Sequence, residues 1–122
     1  MLKNFQEKFT NYCRSQNFET NQNQIIVIKK LENFYKNNFK SIISNLFSKE
    51  YTKKSFYLHG DVGVGKTMIL NFFFDQIKEK KLRLHFNEFM LSFHDFVHER
   101  KNKSTDNIID LFVKDLKTKF DI

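Results

Sequence analysis

The sequence predicts an α/β fold over residues 51–122, preceded by a helical segment over residues 1–50. Three observations support this prediction. Apolar residues recur at helical spacing throughout the first segment. A short apolar run at residues 55–59 stops at a glycine, as a strand often does before a turn, and a helical pattern follows. An alternating run at residues 82–86 is typical of a second strand.

Two helices are predicted in the first segment. The first carries four apolar residues at helical spacing, Leu2, Phe5, Phe9 and Tyr12. Residues 18–24 are polar and rich in Asn and Gln, which indicates a loop. The second helix is predicted to begin near Ile25 and to continue as far as Leu46.

Three further helices are predicted after the first strand. The first covers residues 66–80, and the second covers residues 88–101, with phenylalanines on one face. The third begins at Ile108, after the polar stretch 102–107. The last four residues, Lys119-Phe-Asp-Ile122, resemble the opening of a further strand.

Charge and cysteine content narrow the functional classes. The chain has 21 Lys+Arg and 14 Asp+Glu, a net charge of +7, which is compatible with a nucleic-acid partner. Its preference for Lys, Asn, Phe and Ile is also typical of AT-rich coding DNA, so we expect no nucleic-acid partner. A single cysteine, Cys13, excludes an internal disulfide.

No apolar run reaches the roughly 18 residues of a membrane span, and the N-terminus lacks the apolar core of a secretory signal. We therefore expect a cytoplasmic protein.

Residues 60–67 form the most informative motif. Gly60-Asp-Val-Gly-Val-Gly-Lys-Thr67 fits the P-loop pattern G-x-x-x-x-G-K-[ST] at every fixed position. All three glycines of the chain lie inside it, between a predicted strand and a predicted helix. The fit and its context predict a binding site for the triphosphate of ATP with Mg²⁺.

Each residue type in this motif has a physical reason. Glycines at positions 60, 63 and 65 allow the required dihedral angles and let backbone N–H groups approach phosphate oxygens. Asp61, Val62 and Val64 contribute backbone amides to the same loop. Lys66 is expected to face the β and γ phosphates, and the Thr67 hydroxyl to complete the Mg²⁺ coordination shell.

From this motif onward the chain resembles the ZapE-type ATPases, which are AAA+-like P-loop proteins of bacterial cell division and mitochondrial quality control. The resemblance rests on residues 60–68, on Phe72-Phe-Phe-Asp75, and on Arg83-Leu-His-Phe-Asn-Glu-Phe-Met90 with His94 and His98 behind it. Gln24 and Leu31 also fall where that family has a Gln and a Leu. The resemblance implies ATP binding, ATP hydrolysis and an AAA+-like P-loop NTPase core.

One departure from the family pattern is large. In the family, the segment matching residues 119–122 continues into a Walker B strand that ends in Asp-Glu, and sensor residues and an arginine finger follow. None of these is present here, so we expect a truncated core that keeps nucleotide binding, lacks hydrolysis and has a marginally stable fold. Its partners would be ATP and either a second copy or a separately encoded remainder of the ATPase. Two alternatives stay open: a non-hydrolysing nucleotide-binding module, and a basic P-loop protein related to helicase loaders that acts on DNA.

Other polar clusters have simpler explanations. His94-Asp-Phe-Val-His98 is close to the zinc-protease motif H-E-x-x-H, but it has Asp in place of Glu and no evident third ligand. We therefore predict no metal there and no catalytic residue. Glu88 matches the His-Phe-x-Glu signature of the family, where it would be a functional acid, but we favour its interpretation as a favourable charge in the first turn of a helix. Lys78, Lys80 and Lys81 are interpreted as charges that suit a helix C-terminus.

Overall fold

The computed structural model describes residues 4–39, 55–100 and 107–122. Within these ranges the regular elements are five α-helices. They are α1 (Phe5–Ser15), α2 (Gln22–Phe39), α3 (Lys66–Gln76), α4 (Phe86–Glu99) and α5 (Ile108–Lys119). The chain divides into two compact units, Met1–Asp75 and Gln76–Ile122. The predicted domain boundary after residue 50 lies outside the described residues.

The predicted α/β fold is wrong, since none of the described residues forms a β-strand. Residues 55–59, expected to be a strand, have no regular secondary structure. A strand in a parallel sheet is hydrogen-bonded to its neighbours and covered on both faces. Tyr57 is instead 85% exposed, and Phe56 packs edge-on against Phe34 of α2, with 5.9 Å between ring centroids. The apolar character of this run therefore reflects contact with a helix.

The second expected strand, residues 82–86, is also absent, because α4 begins at Phe86. Its first residue lies beside the end of the chain. The Leu82 N–H donates to the Ile122 carbonyl at 2.9 Å, and the Ile122 N–H donates to the Lys80 carbonyl at 3.2 Å. Residues 119–122 were expected to open a strand, but Lys119 is the last residue of α5 and residues 120–122 make backbone hydrogen bonds without forming a strand.

The predicted helices are confirmed in type, with shifted ends. α2 begins at Gln22, inside the stretch expected to be a loop, and its expected continuation to Leu46 lies outside the described residues. α3 ends at Gln76 instead of residue 80. α4 and α5 each lie within two or three residues of the predicted limits where those limits are described.

Polar side chains and one left-handed residue set the limits of α1. The Asn4 side chain accepts the Glu7 N–H at 2.9 Å, a standard N-terminal cap. At the other end Asn17 has φ +57°, and the Phe18 N–H donates to the Cys13 carbonyl at 2.8 Å. This is the Schellman arrangement, in which a left-handed residue lets the chain turn back over the last carbonyls.

The core of the first unit is built from α1, α2 and α3 and is rich in aromatic rings. Phe9 and Phe72 are both almost completely buried, and their ring centroids lie 5.2 Å apart in an edge-on contact. Ile28 of α2 is also fully buried. Cys13 is 0% exposed, and this burial raises the pKa of its thiol. The phenylalanines that recur at helical spacing in the sequence thus form the contacts between helices.

A buried carboxylate joins α1 to α2. Glu32 is only 7% exposed, and one of its oxygens accepts the Phe5 N–H at 2.9 Å. Its other oxygen accepts a hydrogen bond from Lys36, one turn further along α2. The Phe5 N–H is one of the groups that a helix N-terminus leaves without an intrahelical partner. Glu32 therefore satisfies this group where water has little access.

The second unit packs α4 against α5 around one ring. Phe112 of α5 is buried and contacts three phenylalanines of α4, at centroid distances of 5.1 to 5.7 Å; they are Phe89, Phe93 and Phe96. The Arg100 guanidinium lies 3.5 Å from the centroid of the Phe96 ring, a cation–π contact. None of the helices in the described ranges is long and apolar enough to cross a membrane.

Candidate functional site

The glycine-rich loop, defined as residues 60–67, connects the irregular segment 55–59 to α3. Gly63 and Gly65 both have φ +85°, a conformation that side chains with a Cβ rarely adopt. Two left-handed glycines in three residues turn the chain sharply just before α3 begins at Lys66. The loop therefore ends at a helix N-terminus, where backbone N–H groups lack intrahelical acceptors.

Lys66 folds back over the loop that precedes it. Its Nζ donates to the carbonyl oxygens of Gly60 and Asp61, each at 2.6 Å. These two contacts place the ammonium group at the beginning of the loop, although the residue itself opens α3. The structure thus brings together both ends of the predicted motif around one positive charge.

The remaining loop residues are open to solvent. Val62, at the tip, is 101% exposed, and Asp61 and Val64 are also exposed. Thr67 is the second residue of α3, and its side chain is exposed next to Lys66. The Thr67 hydroxyl is therefore accessible from solvent at the first turn of α3.

Gln24 of α2 contacts the loop, although it was not predicted to be a site residue. Its Nε2 donates to the Val64 carbonyl at 3.3 Å, and its side chain is 7% exposed. A signal for it was present: Asn21 followed by Gln24 before an apolar run is the pattern of a capping box. In the structure the Asn21 Oδ1 accepts the Gln24 N–H at 2.9 Å.

A cavity of about 300 Å³ lies beside the loop in the first unit. Its walls come from α2, from the end of segment 55–59 and from the loop itself. The lining includes Gln24, Val27, His59, Gly60, Asp61 and Lys66. Such a mixture of one cation, backbone carbonyls and apolar surface is typical of small-molecule sites.

A larger concavity, about 590 Å³, lies in the second unit; its charged lining residues are Lys117 and Asp121, and it contains no part of the glycine-rich loop. Its walls are mainly apolar and include Leu82, Leu84, Phe86, Leu116, Phe120 and Ile122. Size alone therefore does not identify the functional site, and we assign the candidate site to the loop cavity.

Residues of the other predicted clusters lie on the surface. Glu88 occupies the first turn of α4, so its predicted position is confirmed, and its carboxylate also accepts the His85 N–H at 3.1 Å. His94 and His98 are exposed one turn apart on the same helix.

The lysines expected at the end of α3 lie beyond it, because the helix ends at Gln76. The Lys81 Nζ donates to the Ile77 carbonyl at 3.1 Å in the connection that follows. Lys78 and Lys80 lie in the same connection. The prediction that these lysines end the helix is therefore wrong, because the last turn of α3 contains no basic residue.

Residues 4–119 match the model of a protein family described as AFG1-like ATPase. This match covers nearly the whole chain. The chain belongs to the AFG1-like ATPase family. The glycine-rich loop, α2 with Gln24, and the aromatic core of the first unit all lie within the matched region of this AFG1-like chain.

One curated protein illustrates how much of a relative the AFG1-like chain covers. This chain is 40% identical over 55 residues to that protein, Lactation elevated protein 1 homolog B of Danio rerio. The match includes 44% of this chain and 11% of the zebrafish protein, so the chain corresponds to a small part of that relative. No solved structure matches the chain.

Proposed function

We propose that this AFG1-like chain binds ATP with Mg²⁺ through the loop of residues 60–67. One observation carries the proposal: in a member of an ATPase family, two left-handed glycines lead into a helix N-terminus, and Lys66 at that terminus folds its ammonium group back over the loop. Backbone amides and a helix N-terminus form an anion site, and a lysine charge strengthens it.

The residues of the loop fit a triphosphate and its metal. The Lys66 ammonium group already lies among loop carbonyls at 2.6 Å, so a phosphate oxygen would replace weaker neutral acceptors with a charged one. Thr67, the next residue in the sequence, is exposed and offers a hydroxyl oxygen, the hard type of ligand that Mg²⁺ prefers. The bound metal would offset phosphate charge.

Hydrolysis requires more than these residues provide. Phosphoryl transfer needs a carboxylate that organises Mg²⁺ and a group that positions the attacking water. In the ZapE-type pattern, the Asp-Glu pair of the Walker B motif serves this purpose. This chain contains 14 Asp+Glu, but no two acidic residues are adjacent. We propose that residues 1–122 bind ATP without hydrolysing it, as the first part of a ZapE-type arrangement in the cytoplasm.

The test is titration with a fluorescent ATP analogue in the presence of Mg²⁺. Lys66→Ala removes the charge that faces the phosphates, so we expect affinity to fall by about tenfold or more, since hydrogen bonds to charged groups are worth about 1.5–3 kcal/mol. Thr67→Ala should weaken binding with Mg²⁺ and have a smaller effect when EDTA removes the metal.

Lys30→Ala is the matched control, because it removes the same charge from an exposed position on α2. Its affinity should equal that of the wild type. Equal affinities for the wild type and Lys66→Ala would exclude this assignment, as would an equal loss in Lys30→Ala, which would indicate a diffuse charge effect.

A further inference from the structure

Gln24 joins the first turn of α2 to the glycine-rich loop. Its Oε1 lies 3.4 Å from the Asn21 backbone N–H that it caps, and its Nε2 donates to the Val64 carbonyl at 3.3 Å. A methyl group on Gly65 would lie 2.6 Å from the same Nε2. The amide is therefore enclosed between a helix terminus and the loop backbone, with both its polar atoms engaged.

This contact determines how one peptide group of the loop is oriented. In a planar trans peptide the carbonyl and the following N–H point in opposite directions. Because Gln24 holds the Val64 carbonyl, the N–H of Gly65 is directed to the other side of the peptide plane. Rotation of this peptide about the flanking bonds is inexpensive for Gly65, which tolerates many dihedral angles, so an external contact is needed to fix it.

We propose that Gln24 is a positioning residue for the phosphate loop. It fixes the Val64–Gly65 peptide so that the Gly65 N–H stays available to an anion, and it ties the loop to α2. Its effect on nucleotide affinity rests on the proposed function, whereas its effect on the loop conformation does not. The ligand is the triphosphate of ATP, as in the proposed function. Gln24 affects its binding indirectly, by orienting the backbone N–H of Gly65.

Gln24→Glu is the informative substitution. Glutamate keeps the shape and keeps an acceptor for the Asn21 N–H, as in a standard capping box. It removes the donor to the Val64 carbonyl and places a second acceptor against it. Gln24→Met keeps the length without any hydrogen bond and serves as a second variant if the glutamate chain does not fold, which circular dichroism would report.

The chain has three glycines, all in the loop, so labelling with ¹⁵N-glycine gives three backbone amide signals. Without nucleotide, Gln24→Glu and Gln24→Met should shift or broaden the Gly65 signal relative to the wild type. Affinity for the fluorescent ATP analogue should fall by about tenfold, the size expected for one lost hydrogen bond in the loop. Asn4→Ala, which removes the cap of α1, should change neither readout.

Two results would overturn the proposal. One is an unchanged Gly65 signal in both Gln24 variants when their helix content is intact. The other is a shift of the same size in Asn4→Ala, which would mean that any loss of a helix cap disturbs the loop. If the wild type fails to bind the ATP analogue, the proposed function fails, and the glycine signals still decide the role of Gln24.

Discussion

Gly63 and Gly65 share the dihedral φ +85°, but their surroundings differ. A methyl group on Gly63 would meet no atom within 4 Å, whereas on Gly65 it would lie 2.6 Å from Gln24. The two positions therefore separate the cost of an unfavourable backbone conformation from the cost of a steric conflict. Both costs are local, and neither involves the buried core of the first unit.

We predict that Gly63→Ala lowers the free energy of unfolding by about 1 kcal/mol, because left-handed backbone is unfavourable for alanine. Gly65→Ala should cost more, by roughly another 1–2 kcal/mol, because the displaced Gln24 amide loses its partners. Urea unfolding followed by circular dichroism measures both values. Equal losses would mean that Gln24 moves aside freely and does not hold the loop.

Among the elements, α1 is attached to α2 by packing and by the Glu32 carboxylate. The ring of Phe5 stacks on Tyr35 at 5.9 Å between centroids, and its backbone N–H is bound by Glu32. The apolar contact contributes most of the attachment energy, since burying a large apolar side chain is worth about 1.5–3 kcal/mol. The carboxylate contributes specificity, because it satisfies a buried donor that has few other acceptors.

Two substitutions at Glu32 should distinguish charge from acceptor. Glu32→Ala leaves the Phe5 N–H without its acceptor and should lower the free energy of unfolding by about 1–3 kcal/mol. Glu32→Gln keeps a carbonyl oxygen for that N–H and loses only the attraction to the half-exposed Lys36, so its cost should stay below about 1 kcal/mol. Chemical denaturation decides, and similar losses in both variants would assign the stabilisation to charge.

At the scale of the whole molecule, the proposed function separates phosphate binding from hydrolysis. We predict that the purified 122-residue protein shows no ATP turnover above that of Lys66→Ala in a phosphate-release assay. The physical reason is that Lys66 and Thr67 are proposed to bind the phosphates and the metal, while the sequence has no adjacent pair of acidic residues like the Asp-Glu of the ZapE-type pattern. Turnover that disappears in Lys66→Ala would contradict this prediction.

The sequence predicted the helices better than the rest of the fold, for a physical reason. Helical spacing is repeated over several turns, so that each helix is indicated by many residues, as for α4 and its phenylalanines. A five-residue apolar run such as residues 55–59 carries much less information, and its neighbours decide whether it becomes a strand. The loop was recognisable because its glycines, lysine and threonine have fixed spacing. Gln24 lies 36 residues before Gly60; its place in the family pattern and the capping pattern marked the residue, but neither indicated that it contacts the loop.

The bond between Glu32 and α1 has a consequence for any shortened version of this protein. A chain that started at Asn21 would keep the loop, Gln24 and α3, and would look adequate for nucleotide studies. It would also leave the Glu32 carboxylate without the Phe5 N–H and uncover Phe72, which is now 1% exposed. An uncovered aromatic surface beside a charge without its helix partner favours self-association, so deletion of residues 1–20 should yield insoluble material even though no loop residue is lost.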